Sequence, residues 1–169
     1  LKDNNGVYID VLVYNSNWYH DEIKMDGGYS LELINPNDPC SNEDNWSSSN
    51  AALGGTPGQV NSIYDLSPDL TAPLFTELIA LAPNYLEIQF NEGVDSTSIM
   101  NAVYTIQHNL VIQSIYIPGA YSTSCILQFN QNLIASQFYN IQINPVADCW
   151  LNNTNLSGQF VLAELPLPG

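Results

Sequence analysis

The chain has 169 residues, 45% of them apolar, and its formal charge is −15 because 17 acidic residues stand against two basic ones. Lys and Arg supply the phosphate contacts of nucleic-acid-binding proteins and the contacts of peripheral proteins with anionic lipids, so the composition excludes both classes. No segment approaches the ~20 consecutive apolar residues of a membrane-spanning helix, which argues against membrane insertion.

The first 65 residues carry few strand signals. Alternating β-branched residues predict a strand over residues 7–14, and a second short strand is predicted over residues 29–33. Residues 35–62 hold three of the ten prolines and several glycines, which predicts ordered loop or linker. So few strands would not close an apolar core alone, and we expect this part to pack on a neighbour.

Residues 66–163 carry many more strand signals. Apolar and polar residues alternate over residues 86–90 and 139–143, as in strands with one wet face. Further strands are predicted at residues 75–81, 103–107, 111–117, 124–129 and 159–162. About seven short strands separated by turns are typical of an immunoglobulin-like β-sandwich, so the predicted fold class is all-β. One helical turn is expected at residues 96–102, and residues 164–169 are predicted to be a proline-rich linker.

The first part resembles a known family. Residues 27–36 (GGYSLELINP), 39–40 (PC), 45–46 (NW), 54–58 (GGTPG) and 61–62 (NS) form a motif series. The series resembles the C-terminal half of a bacterial lamin-tail domain of the kind found in secreted surface proteins. The resemblance covers residues 1–63 and lacks the family's N-terminal strands. It implies a truncated module at residues 1–65, completed by other domains of a longer parent chain or by another protein chain.

The second part resembles another family. The motifs are residues 69–73 (DLTAP), 86–95 (LEIQFNEGVD), 139–143 (YNIQI) and 146–149 (VADC). Together they resemble a bacterial Ig-like domain of surface-layer and cell-wall proteins. The tandem implies a structural or adhesive role on a secreted protein, with no chemistry of its own.

The chain lacks the signatures of common hydrolases. It has two histidines, His20 and His108, and neither a G-x-S-x-G nor an H-E-x-x-H motif. Pairs of carboxylates such as Glu87 and Glu92 are available for glycoside hydrolysis, but nothing in the sequence sets their separation. We therefore predict no catalytic residues and no enzymatic activity.

Acidic turns raise the possibility of calcium binding. The candidate ligands are the carboxylates of Glu92, Asp95 and Asp148, with carbonyl groups of Asn91 and Asn152. Hard oxygen ligands are those that calcium prefers, and a bound cation would relieve self-repulsion in so acidic a chain. The alternative is that Asp95 caps the helical turn after it and that Asp148 forms an Asx turn.

Two further predicted sites concern carbohydrate, one for binding a glycan and one for attaching it. Trp18 and Tyr19 lie in a polar loop and are the candidates for stacking on a glycan, against the alternative of core packing. Asp95 and Thr97 flank Ser96 in a short acidic pattern that resembles an O-glycosylation site of some bacterial envelopes.

The three cysteines are far apart and form no C-x-x-C motif, so a zinc site is not predicted. The scarcity of Lys and the absence of Arg are typical of an extracellular protein. In an oxidising compartment we expect Cys149 to pair with either Cys40 or Cys125. The alternative is that all three are buried, reduced thiols.

These observations favour a non-catalytic structural or adhesive segment of a secreted protein on the outer face of a bacterial envelope. The competing hypothesis is a calcium- or glycan-binding β-sandwich module attached to a secreted enzyme.

Overall fold

A computed structural model describes residues 2, 4–7, 12–40 and 43–164. The chain divides into two compact units, Leu1–Ser67 and Pro68–Gly169. The division lies two residues beyond the boundary expected from the sequence. Each unit is described by itself.

The described part of the first unit holds one small antiparallel sheet. Strand β1 (Leu31–Leu33) pairs with strand β2 (Trp46–Ser48), and short 3-10 turns occur at Ser16–Tyr19, Lys24–Asp26 and Glu43–Asn45. β1 lies within the strand predicted over residues 29–33. Of the strand predicted over residues 7–14, residues 8–11 lie outside the described residues, and residues 12–14 have no regular secondary structure.

The prediction that residues 35–62 form only loop is wrong, because β2 lies among them. Two buried asparagines provide the physical reason. The backbone N–H of Asn35 donates to Oδ1 of Asn45 at 2.8 Å, and Nδ2 of Asn45 donates to the carbonyl of Asn35 at 2.7 Å. This reciprocal pair holds the two chain segments side by side just before β2, which sequence periodicity does not reveal.

The described part of the second unit contains seven strands, one short α-helix and a 3-10 turn at Gln107–Asn109. The strands are β3 (Phe75–Leu81), β4 (Tyr85–Asp95), β5 (Val103–Ile106), β6 (Ile112–Tyr116), β7 (Tyr121–Phe129), β8 (Phe138–Ala147) and β9 (Asn153–Val161), with helix α1 (Ser96–Asn101) between β4 and β5. The prediction of an all-β protein with a β-sandwich is confirmed.

The strands of the second unit form two antiparallel sheets. One has the order β3-β4-β7-β6 and the other the order β5-β8-β9. Inward-facing side chains of both sheets form one apolar cluster, which includes Leu86, Ile88, Phe129, Ile141 and Phe160. Alternate residues of the same strands face outward, as the period-2 pattern predicted.

Four strands, β4, β7, β8 and β9, extend beyond their predicted bounds. β4 and β8 continue past register shifts between Gln89 and Val94 and between Ile143 and Val146. The first half of β9 has little strand propensity of its own, but it pairs with β8 along its whole length. Backbone pairing with a partner strand therefore decides these ends.

Within the described residues, no helix has the length and apolar character needed to cross a membrane.

Candidate functional site

Three acidic side chains meet at one end of the second unit. Asp69 lies before β3, Glu92 lies in the bulged part of β4, and Asp148 follows β8 directly. One carboxylate oxygen of each lies within 4.8 Å of those of the other two. We call these three residues the acidic cluster. An antiparallel bridge between Val94 and Asp148 brings the end of β4 beside the turn after β8, which places Glu92 near Asp148.

Asn152 ties two members of the acidic cluster together. Its backbone N–H donates to Oδ1 of Asp148 at 2.8 Å, and its Nδ2 donates to Oδ2 of the same carboxylate at 2.8 Å. The same Nδ2 also donates to the backbone carbonyl of Asp69 at 3.0 Å. Asp148 is fully buried, so these bonds compensate much of the cost of burying a charge.

The cluster is electrostatically unfavourable without a proton or a cation. Burial, helped by the charges of Asp69 and Asp148, raises the pKa of Glu92 to about 7, although Asn91 donates a hydrogen bond to it at 3.1 Å. Burial also opposes ionisation of Asp69, but hydrogen bonds from Thr71 outweigh it and lower the pKa of that carboxyl. The chain's two basic residues both belong to the first unit, so no Lys or Arg of the second unit neutralises the cluster.

The structure changes the predicted ligand set. Glu92 and Asp148 come together as predicted, but Asp95 lies outside the acidic cluster and caps α1, where its side chain accepts from the N–H of Thr97 at 3.0 Å. Asp69 takes the place predicted for Asp95. Asp69 lies in the segment that leads into the first predicted strand of the sandwich, but only the tertiary structure shows that this segment lies beside the turn after β8.

The two asparagines predicted as carbonyl ligands already have partners. Oδ1 of Asn91 accepts from the backbone N–H of Leu74 at 2.6 Å, and the backbone carbonyl of Asn152 accepts from the N–H of Asp148 at 3.1 Å. Both residues therefore support the acidic cluster by holding the chain around it.

The aromatic residues predicted to bind a glycan lie in the first unit and are half-buried. The ring of Trp18 lies 6.5 Å from that of Tyr14 and 6.4 Å from that of Trp46. The hydroxyl of Tyr19 donates to the carbonyl of Tyr29 at 3.4 Å. These contacts are those of packed side chains, and glycan binding at Trp18 and Tyr19 stays a prediction.

The remaining predicted sites concern Ser96 and the cysteines. Ser96 is half-buried at the start of α1, and its N–H donates to the carbonyl of Ala120 at 2.9 Å, so its glycosylation stays a prediction. Cys125 is a free thiol in the apolar core, where burial raises its pKa to about 12. The disulfide prediction therefore narrows to Cys149 with Cys40.

Sequence reasoning missed a buried carboxylate in the first unit. Glu32 in β1 is 4% exposed, and its carboxylate accepts hydrogen bonds from Thr56 Oγ1 and from the N–H and Oγ of Ser62, all at 2.7 Å. Burial alone would raise the pKa of Glu32, but the hydrogen bonds from Thr56 and Ser62 outweigh it and lower the pKa to about 2. Glu32 thus ties β1 to two loops, a role its place in an alternating strand did not indicate.

Comparisons with known proteins show a fold but no family. No family model matches the chain, and no curated protein matches it. A solved structure of "surface layer protein SbsC, domains 1-6" is similar to it, with 14% sequence identity over 59% of this chain and a TM-score of 0.50. A second structure, of "the N-terminal part of the bacterial S-layer protein SbsC", has 14% identity over 59% of this chain and a TM-score of 0.48.

The chain spans 14% and 25% of the lengths of those two structures. At this level of identity the first likeness shows a shared β fold. The lamin-tail and Ig-like resemblances stay predictions.

Proposed function

We propose that the chain is a non-catalytic structural or adhesive segment of a secreted bacterial protein on the cell surface. The observation that carries this proposal is the likeness in fold to part of a surface layer protein, which covers 59% of this chain. The chain's acidity and its lack of Arg support the same location.

The packing of the second unit suits a stable structural domain. Long strands run through both sheets and enclose one apolar core, and such cores resist local opening because core strands unfold only at high free energy. The histidine in this unit, His108, packs its ring edge-on against Tyr139 at 5.4 Å between centroids.

The partners in this proposal are other domains of a longer parent chain or another chain that completes the first unit.

Surface exposure on intact cells tests the proposal. Cells that produce the protein are treated with a protease that does not enter them, and peptides of this chain are quantified by mass spectrometry. We expect peptides of the chain to be released while those of a cytosolic marker are not. Recovery of the chain only after lysis would contradict the proposed location. The intact mass of the protein from untreated cells tests the proposal of a longer parent chain, which predicts a mass well above 18.7 kDa.

The acidic cluster supports a second function, the binding of a calcium ion by Asp69, Glu92 and Asp148. Three carboxylates with an oxygen each within 4.8 Å of one another offer the hard ligands that calcium prefers. A divalent cation would offset both the burial and the like charges of Asp69 and Asp148 that raise the pKa of Glu92. Calcium would then join the start of β3, the end of β4 and the turn after β8.

Calorimetry of the whole chain tests calcium binding. For an extracellular-type site with a Kd of about 0.1–1 mM, 2 mM calcium should stabilise the second unit by about 0.6–1.8 kcal/mol relative to EDTA, a rise of roughly 3–14 °C in melting temperature. Glu92→Gln should remove this response. The matched control is Glu87→Gln in the same strand outside the acidic cluster, which should retain it. An identical melting temperature in calcium and EDTA would rule out the site.

A further inference from the structure

The outward face of the sheet β5-β8-β9 forms a groove whose outward side chains all carry uncharged hydrogen-bonding groups. Its volume is about 650 Å³, and the outward side chains that line it are Thr105, Gln107, Asn140, Gln142, Ser157 and Gln159. All six are exposed. Of the residues between them, Ile141 belongs to the core, Ile106 packs against it, and Gly158 has no side chain. The groove therefore uses side chains that the sandwich does not need for its packing.

Three amides in this groove form a row across the sheet. Nδ2 of Asn140 in β8 donates to Oε1 of Gln107 at 2.9 Å, and Nε2 of Gln159 in β9 donates to Oδ1 of Asn140 at 3.2 Å. Asn140 and Gln159 are also directly opposite in the strand register. Each amide has two donor hydrogens and two acceptor lone pairs, so the row is held in one orientation while part of its capacity still faces outward.

A second row lies beside the first. Thr105 pairs with Gln142 in the register of β5 and β8, and Gln142 pairs with Ser157 in that of β8 and β9. On the side of the first row away from the second, the next outward residue of β8 is Phe138. It is 58% exposed and lies opposite Val161. The face thus offers two rows of neutral hydrogen-bonding groups and an exposed aromatic ring at one end.

This face carries no charged side chain, although the chain as a whole is very acidic. No Asp, Glu, Lys or Arg occurs in residues 96–147 or 149–163, which include β5, β8 and β9 entirely. The other sheet carries Glu77 in β3 and Glu87 in β4. A neutral surface gives no electrostatic attraction to ions or charged polymers, whereas fixed amides and hydroxyls match the hydroxyl groups of a sugar.

We propose that the groove of the sheet β5-β8-β9 binds an uncharged polysaccharide through its two rows of amide and hydroxyl side chains, with a sugar ring resting on Phe138. This goes beyond the proposed structural role and does not depend on the acidic cluster. A second copy of the chain fits the face less well, because the cores of homodimer interfaces are strongly apolar and the large apolar side chains exposed on this face are Val103, Phe138 and Val161, away from the two polar rows.

Titration of the purified whole chain with defined oligosaccharides tests the proposal. The probes are the neutral cellohexaose, mannohexaose and N-acetylchitohexaose, with the acidic hexagalacturonate as the charged comparison. We expect saturable binding of at least one neutral probe by calorimetry. The double variant N140A/Q142A should weaken it about tenfold or more through the loss of two side-chain hydrogen bonds. Gln113→Ala, an exposed amide in β6 of the other sheet, should leave it unchanged.

Several results would overturn the proposal. They are binding of no neutral probe, binding only of hexagalacturonate, or equal weakening by N140A/Q142A and Gln113→Ala. Self-association of the chain that N140A/Q142A abolishes, measured by analytical ultracentrifugation, would show a second copy as the occupant instead. Because the titration uses isolated protein, its failure leaves the cell-surface location to be decided by the protease experiment.

Discussion

The two units bury opposite kinds of side chain. Apart from Gly54, the buried residues in the described part of the first unit are all polar or charged: Glu32, Asn35, Asn45, Ser48 and Ser49. The buried residues of the second unit are almost all apolar, and Asp148 is the charged one among them. The first unit is therefore held by directional hydrogen bonds around a buried carboxylate, and the second by the burial of apolar surface. The same chain thus uses two physical means of stabilisation, which respond differently to mutation and to pH.

The largest expected effect is the loss of an aromatic ring from the apolar core. Phe129 is fully buried, and its ring stacks on that of Phe160 at 6.2 Å between centroids. Phe129→Ala should lower the free energy of unfolding of the second unit by about 3–5 kcal/mol, through lost burial and a cavity. Hydrogen exchange at increasing denaturant concentration, resolved into peptides of each unit, measures this change in unfolding free energy. The control Phe138→Ala removes an exposed ring and should change stability by less than about 0.5 kcal/mol.

Next in size is the removal of the buried charge from the first unit. Glu32→Gln keeps the shape of the side chain but replaces one of its two acceptor oxygens with an NH2 donor, which would then face either Oγ1 of Thr56 or the N–H and Oγ of Ser62. We therefore expect a loss of about 1–3 kcal/mol in the free energy of unfolding. Hydrogen exchange should accelerate in peptides around β1 and β2. Exchange in β4 and β8 should stay unchanged, and a matching acceleration there would contradict the separation of the two means of stabilisation.

A smaller effect is expected where the two sheets of the second unit approach each other. A Cβ added to Gly158 in β9 would lie 2.5 Å from Cδ1 of Leu78 and 3.2 Å from Cδ2 of Phe75. Gly158→Ala should therefore destabilise the second unit by about 1–2 kcal/mol through overpacking, less than the cavity in Phe129→Ala because the end of Leu78 can shift. Gly119→Ala is the matched control, since its nearest atom, the carbonyl oxygen of Tyr121, is 3.6 Å away. Equal stability of the two variants would show that the sheets are not closely packed at Gly158.

The smallest expected effect is the pH dependence of the stabilisation that Glu32 gives to the first unit. The pKa of Glu32 is about 2 in the folded chain, below its ordinary value of 4.5, so the folded state holds this proton less tightly than the unfolded state does. The stabilisation is fully present above pH 4.5 and is lost as the pH falls through about 2. The difference in unfolding free energy between the wild type and Glu32→Gln should therefore shrink between pH 5 and pH 2. A constant difference over that range would contradict a lowered pKa.

Strands of the second unit were the most predictable part of the fold. Residues 75–81 form β3 with the predicted bounds, and the alternation around Ile88 and Ile141 marks the buried faces of β4 and β8. Alternation reports burial on one face, and burial is what fixes these strands. β2 and the first half of β9 were missed because they are strands by virtue of their partners rather than their side chains.

The candidate sites were only partly predictable for a related reason. Glu92 and Asp148 could be named because acidic residues after strands collect at a sheet end, but Asp69 joins them through the order of the strands. The amide row of Gln107, Asn140 and Gln159 combines residues of three strands, and their spacing along the chain carries no mark of it. Asp95 could satisfy two roles on sequence grounds, and its capping of α1 decided between them.

The sequence by itself determined the all-β class, the strands whose side chains alternate and the strong acidity of the chain, because periodicity, propensity and charge are local properties. Only the tertiary structure decided which carboxylates share a site, which amides share a face and which cysteine is enclosed in the core. Those relations join residues far apart in the chain, and strand pairing with its register, rather than any local pattern, sets the distances between them.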